Sequence, residues 1–218
     1  MRRAHYKVST YIEWLKSLGC VFYAPLDEEH GLTELISNTQ PTIQSGTQVY
    51  WDSTYGMYRF KVSSTSTSVN VRALTYSIPN MGFEDGGPIS LLVQAKKNTS
   101  SNTYNSFLGV PDFYNINTSQ KNCAYICEAR YSGIDASNLN KYAHTVPLMN
   151  GVNPVGLKWY FNGTLYTTSN WTGKVVIGSN TVAVCQSNRR TGDFDIYAKE
   201  AMIFNTVLDL QTIREIQG

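Results

Sequence analysis

The residues best typed and spaced for chemistry lie near the end of the chain, in Asp193-Phe194-Asp195 with Glu200 five positions further on. On an extended strand, residues two apart share a face, and their Cβ atoms stand about 6 to 7 Å apart. Retaining glycosidases hold their two carboxyl groups about 5 to 5.5 Å apart, so spacing alone admits Asp193 and Asp195 as an acid and nucleophile. Two observations weigh against it. Glu200 is an odd number of residues from Asp195 and falls on the other face. Nothing in the surrounding sequence offers the apolar pocket that would raise one carboxyl pKa to that of a general acid. The segment reads as a closing strand with two solvated aspartates at the mouth of a sheet edge, and the chain as a non-enzyme with no catalytic residues.

Other chemistries find less to work with. The turn Glu84-Asp85-Gly86-Gly87-Pro88 is glycine-rich but lacks the strand-to-helix setting and the lysine of a phosphate loop. There is no Gly-x-Ser-x-Gly elbow. The three histidines, His5, His30 and His144, have no ligand spacing. Cys123 and Cys127 would sit roughly 13 Å apart on a strand, too far to form a disulfide or to share a tetrahedral metal. Together with Cys20 and Cys185 they read as buried, unpaired thiols. Asp27-Glu28-Glu29 supplies hard oxygen ligands without calcium-loop spacing. The expectation is therefore no metal and no cofactor.

What remains is recognition chemistry. The chain has 15 tyrosines, 18 basic and 16 acidic residues, and a net charge of +2. That balance does not mark a nucleic-acid binder. Sugars are held by aromatic faces with amide, carboxylate and guanidinium groups around them, which suit their mixed apolar and hydroxyl surfaces. Trp51, Asp52 and Tyr55 fall together in Val49–Tyr58, alongside Tyr50 and Tyr58. Tyr104 and Tyr114 sit in the long polar loops 96–106 and 112–122, and Trp171 follows a hairpin between Asn170 and Thr172. These six (Trp51, Asp52, Tyr55, Tyr104, Tyr114 and Trp171) are the candidate ligand contacts. The competing role for each aromatic is cross-strand packing. Four Asn-x-Ser/Thr triplets, at Asn98, Asn117, Asn162 and Asn170, read as chance in an Asn- and Thr-rich chain.

The elements that must position these residues are mostly strands. Thr10 and Glu13 resemble a capping box for a first helix that Gly19 stops, with Ile12 and Leu15 on its apolar stripe. Ahead of it Arg2, Arg3 and Lys7 form a short basic arm, either solvated or docked on an acidic partner. After Gly19 come about a dozen short β-branched and aromatic runs separated by turn residues, with Asn162-Gly163 as the strongest hairpin signal. This pattern predicts an all-β antiparallel sandwich. In the closing strand, alternation puts Phe194, Ile196, Ala198, Met202 and Phe204 on one face, with Glu200 a misfit among them. Asp209 is placed to cap a final helix carrying Leu210, Ile213 and Ile216. The basic start lacks an apolar core, so no export signal is read, and no apolar run is long enough to cross a membrane.

Four stretches carry a family resemblance. They are the hairpin Leu157–Ser169, the strand Val175–Ser179, the closing segment Phe194–Ile216, and the opening run Leu18–Asn38, where an apolar strand ending in Pro-Leu meets an acidic turn. Together they resemble a laminin G-like domain of the concanavalin A-like lectin/glucanase superfamily over residues 18 to 218. The resemblance implies a two-sheet antiparallel jelly roll (residues 19–218) behind an N-terminal arm and helix (1–18). The glucanases of that superfamily carry Glu-x-Asp-x-x-Glu on one strand, a string absent here, and a frequent acidic position of the closing strand is Lys199. The resemblance thus implies carbohydrate or surface recognition without catalysis. A lectin-like fold with no visible export signal also fits a phage or prophage particle, the arm and helix docking on other virion proteins. The rival expectation is a structural virion protein that binds no glycan. Neither reading involves nucleic acid or membrane insertion, and the oligomeric state is not readable.

Overall fold

The structure, a computed structural model, describes residues 8–62, 72–82, 88–99, 105–110, 125–127, 131, 133–147, 156–170, 180–187 and 194–218. Numbered in chain order, eight strands form one sheet: β1 (Cys20–Ala24), β3 (Thr47–Asp52), β4 (Met57–Val62), β6 (Ile89–Thr99), β9 (Asn140–Val146), β10 (Leu157–Phe161), β11 (Thr164–Ser169) and β13 (Phe194–Phe204). Five form the other: β2 (Thr42–Ile43), β5 (Arg72–Ser77), β7 (Asn105–Gly109), β8 (Tyr125–Cys127) and β12 (Thr181–Ser187). Helices α1 (Val8–Ser17) and α2 (Leu210–Gln217) flank them. The strand pairings are antiparallel throughout, and the expected two-sheet sandwich is what forms. The expected strand at 174–178 lies outside the described residues.

The main core fills the space between the sheets. Phe22, Phe60, Leu91, Val93 and Ile196 come from the large sheet, and Leu74, Tyr76, Phe107, Val182 and Val184 from the small one. The Asn162-Gly163 turn joins β10 to β11 with φ of 47° and 71°. Positive φ at both central residues matches the right-handed twist of the strands, so this dipeptide fixes the hairpin.

β13 is central, not an edge. β6 pairs with it along its length, while its other side is shared in succession: β4 pairs with Phe194–Ala198, then β1 with Ala201–Phe204. The handover needs one extra residue, and the β13–β6 register slips between Lys199 and Met202. Glu200 sits in that bulge at φ 58°, its N–H bonded to the Pro25 carbonyl at 3.0 Å and its carboxylate accepting from the Gln94 amide. A one-residue bulge reverses the alternation that follows it. Phe194, Ile196 and Ala198 therefore share the inter-sheet core with Ala201 and Ile203, whereas Met202 and Phe204 point to the opposite, outer face. This corrects the single face predicted for all five, and Glu200 is the residue that makes the turn.

On that outer face a second core forms. Tyr11 and Leu15 of α1, and Ile213 and Ile216 of α2, cover Cys20, Tyr23, Leu92, Tyr160, Met202 and Phe204. Asp209 caps α2 as expected, accepting from the Thr212 N–H at 2.7 Å. The capping box does not form: α1 already includes Val8 and Ser9, so Thr10 lies inside the helix, and Glu13 pairs with Lys16 at 3.1 Å. Gly19 does end the helix, at φ 85°. A Cβ there would meet Asn205 Oδ1 at 2.6 Å and Thr206 Cγ2 at 2.8 Å. Gly19→Ala combines a left-handed backbone with this crowding, and should lower unfolding stability by about 1–2 kcal/mol or more. Urea unfolding with Gly46→Ala as comparison checks this, since Gly46 shares the positive φ but has open space around it.

Candidate functional site

The helices cover only half of the outer face. Where β13 runs beside β4 and β3, neither helix covers the same face among the described residues, and alternation sets polar and aromatic side chains on it. The registers align Tyr50 of β3 with Arg59 of β4, Arg59 with Tyr197 of β13, and Tyr197 with Lys96 of β6. The result is one row across four strands in which ring and cation alternate. At strand spacings near 4.8 Å the row spans about 14 Å. A neighbouring row holds Gln48, Lys61 and Asp195.

The row is braced by ordered polar contacts. Arg59 donates to Asp195 through Nε at 2.6 Å and through its second nitrogen at 2.5 Å. Asn98 Nδ2 donates to the same carboxylate at 3.0 Å. Asp195 is only 5% exposed. Burial pushes its carboxyl up, but the hydrogen bonds from Arg59 and Asn98 and the charges of Arg59 and Lys61 outweigh burial and hold it below the usual carboxylate range. Asp195 is thus neither a solvated aspartate at an edge, as the sequence predicts, nor a general acid, because its proton is already displaced. Asp193 lies outside the described residues.

Tyr197 donates its hydroxyl to Asp52 at 2.9 Å. Burial, then that hydrogen bond, pushes the phenol up to about 12. Partial burial raises the Asp52 carboxyl, yet the hydrogen bonds from Tyr197 and the Thr54 and Tyr55 backbone bring it below its ordinary value. Tyr55 meets the Tyr197 ring edge-on at 5.0 Å. Lys96 Nζ lies 4.0 Å from the centre of the Tyr55 ring and 5.3 Å from that of Tyr197, and the Arg59 guanidinium is 5.6 Å from Tyr50 and 5.4 Å from Tyr197. These distances are within cation–π range. Tyr50 and Tyr55 remain 40% and 51% exposed, so their rings are open to solvent.

Of the residues singled out from sequence, Asp52 and Tyr55 meet here. Trp51 points to the other side of β3, in line with Val49, and packs edge-on against Tyr58 at 5.4 Å. Tyr104, Tyr114, Trp171, and the arm residues Arg2, Arg3 and Lys7 lie outside the described residues. Arg59, Lys96 and Tyr197 do not appear among the sequence candidates. The signal that reveals them is alternation in register across β3, β4, β13 and β6, visible only once the strand order is known. Next to the open patch, where α2 begins to cover the sheet, a groove of about 650 Å³ is lined by Gln94, Lys141, Lys199, Glu200, Arg214 and Glu215, among others.

Asp27 and two of the four cysteines are engaged or buried within the fold, and Cys123 lies outside the described residues. Asp27 accepts from the His30 backbone N–H at 2.8 Å and contacts its ring nitrogen at 2.9 Å. Cys20 and Cys185 are buried free thiols, and burial pushes both pKa values up. Among the described residues no helix is long and apolar enough to cross a membrane.

No protein-family model and no curated protein matches the chain. Solved structures do share its fold. The binding domain of botulinum neurotoxin DC, in complex with rat synaptotagmin II, aligns with a TM-score of 0.59 at 12% identity, covering 91% of this chain and 51% of that one. The binding domain of Paraclostridial mosquitocidal protein 1 aligns with a TM-score of 0.59 at 9% identity, with the same coverages of 91% and 51%. A botulinum neurotoxin type C structure, concerned with cell entry dependent upon interaction with two ganglioside molecules, gives 0.61 at 12% identity, covering 96% and 52%. The chain spans about half the length of the structures it matches, and at identities this low the likeness shows a common fold alone.

Proposed function

We propose that this chain is a non-catalytic recognition module of laminin G-like, concanavalin A-like kind, binding glycans on the open half of its outer sheet face. One observation carries the reading: the exposed Tyr50 and Tyr55 rings stand over a floor of fixed hydrogen-bonding groups, Asp52, Arg59, Asn98 and Asp195. Rings of this kind stack on the C–H faces of a sugar, while prepositioned donors and acceptors read its hydroxyls at little ordering cost. The ganglioside-dependent entry described for the type C neurotoxin supports the reading at the level of the fold. The proposal extends to display on a phage or prophage particle, with Arg2, Arg3 and Lys7 docking on an acidic virion partner.

The test is a glycan array that includes bacterial surface polysaccharides, run with calcium and again with EDTA. A specific hit that weakens about tenfold in Tyr55→Ala is the expected result, the loss of one stacked ring. Silence in both conditions, or a hit indifferent to Tyr55, would remove the site. Loss of binding in EDTA would add a metal to it.

A second reading, a structural virion component without glycan binding, is favoured by β11. Among the described residues this strand ends the eight-stranded sheet; it carries no charge from Thr164 to Ser169 and exposes Leu165 and Tyr166 at 45% and 37%. Uncharged open edges pair with other chains. An oligomer in sedimentation that Leu165→Lys dissolves, combined with array silence, would select this alternative.

A further inference from the structure

Resting on that reading, we propose that the ligand is an acidic saccharide, its sugar rings carried by Tyr50 and Tyr55 and its carboxylate or sulfate held by Lys96 with Lys61 and Lys199. The open patch presents Arg59, Lys61, Lys96 and Lys199 against Asp52 and Asp195. Both carboxylates are already engaged within the protein. Asp195 accepts from Arg59 and Asn98, and Asp52 accepts from the Tyr197 hydroxyl and the Thr54 N–H. Arg59 is matched by Asp195 in the same way. The three lysines are not: among the described residues no carboxylate forms an ion pair with Lys61, Lys96 or Lys199. The positive charge offered to solvent is therefore the lysines' own.

Lys96 is the residue that gives this charge a fixed address. A lysine on a sheet surface is ordinarily a mobile point charge. Here the Tyr55 and Tyr197 rings hold its ammonium at 4.0 and 5.3 Å from their centres, at the end of the ring-and-cation row and against the ring of the exposed Tyr55. Side chains ordered before the ligand arrives cost less to order on binding. A neutral sugar gains stacking and hydrogen bonds from this arrangement, whereas an anionic substituent adds charge attraction to an ammonium held against two rings. The row is long enough for a short oligosaccharide. Past Tyr197, Lys199 continues the positive path toward the groove beside α2, where Lys141 and Arg214 stand against Glu200 and Glu215.

The experiment is calorimetric titration of the full chain with four probes of similar length: an oligogalacturonate (carboxylated), a sulfated galactan oligosaccharide, neutral maltohexaose and a thymidine oligonucleotide. One or both acidic saccharides should bind at least about fivefold tighter than maltohexaose, the scale of one or two ion pairs, and this margin should shrink as salt rises. The carboxylated and sulfated arms report which acid is read. Lys96→Gln should remove most of the margin, and Lys16→Gln, an exposed lysine on α1, should leave it intact. Circular dichroism confirms that both variants are folded. Equal binding of maltohexaose, an equal effect of the two lysine variants, or binding of the oligonucleotide as tight as that of the acidic saccharides each overturns the inference. Saccharide binding that needs Tyr55 but ignores Lys96 sinks this inference alone. Failure of every saccharide sinks it together with the proposed function.

Discussion

Replacing Glu34 by alanine is expected to cost the fold about 3 kcal/mol, the summed penalty of several orphaned donors, although Glu34 lies outside the named strands, in a turn beside β1. Its side chain is fully buried. The carboxylate accepts from the backbone N–H groups of Tyr23 at 3.1 Å, Ile36 at 2.5 Å and Ser37 at 2.8 Å, and from the Ser37 hydroxyl at 2.6 Å. Leu35 completes the attachment by donating to the Tyr23 carbonyl at 2.8 Å. Among the described residues β1 pairs with β13 on one side only, so the turn at residues 34–39 serves its other edge, with the Glu34 carboxylate supplying the acceptor that a further strand would have supplied. Truncation leaves backbone donors with no partner, and each buried orphan costs about 1–3 kcal/mol before water enters. Glu34→Gln keeps one acceptor oxygen but turns an NH₂ toward donors, so it should fall between wild type and alanine. Urea midpoints at constant m-value decide the matter. A Glu34→Ala protein within about 0.5 kcal/mol of wild type would show that water fills the site at no cost.

Glu34 also shows what the sequence could and could not convey. The strands were legible because β-branched and aromatic runs bounded by turn residues are a local signal, and Asn162-Gly163 dictates its turn wherever it occurs. The Asp209 cap was legible for the same reason. Partners far apart in the chain were not. Arg59 reads as one more charge in an alternating strand until Asp195, 136 positions away, is set beside it. The misplaced faces of β13 have their physical origin in Glu200. A bulge is a response to tertiary need, here the exchange of β4 for β1 along one side of β13, and no local residue preference announces it; a glutamate at positive φ is an unfavoured choice. Once the bulge is missed, the alternation beyond it is misassigned by one residue, and Met202 and Phe204 are placed in the inter-sheet core with Phe194, Ile196 and Ala198. With it in place, the outer face divides into a part that the helices cover and a part that carries the ring-and-cation row.

The Arg59–Asp195 pair lets fold and recognition be separated. Arg59→Ala leaves a carboxylate that is 5% exposed with Asn98 as a remaining donor, and should destabilise by about 2–3 kcal/mol, slightly under the usual cost of breaking a buried pair because Arg59 itself is partly exposed. The pH dependence follows from the direction of the Asp195 shift. Its folded carboxyl lies below its unfolded value, so the pair's contribution is present above the unfolded carboxylate pKa of about 3.9 and lost as pH falls through the lower folded value. The stability gap between wild type and Asp195→Asn should hence be level above roughly pH 5 and narrow on acidification below it. A gap unchanged down to acid unfolding would mean that Asp195 is not held ionised by Arg59. The double replacement Arg59→Met with Asp195→Leu removes both charges together, and the freed Asn98 amide is exposed to water. Its stability should return to within about 1 kcal/mol of wild type, as matched apolar pairs commonly do. Saccharide binding should not return with it, because a methionine in place of Arg59 breaks the alternation of ring and cation between Tyr50 and Tyr197. A double variant that both folds and binds like wild type would reduce this pair to packing, leaving the lysines and the two exposed tyrosines as the whole of the site.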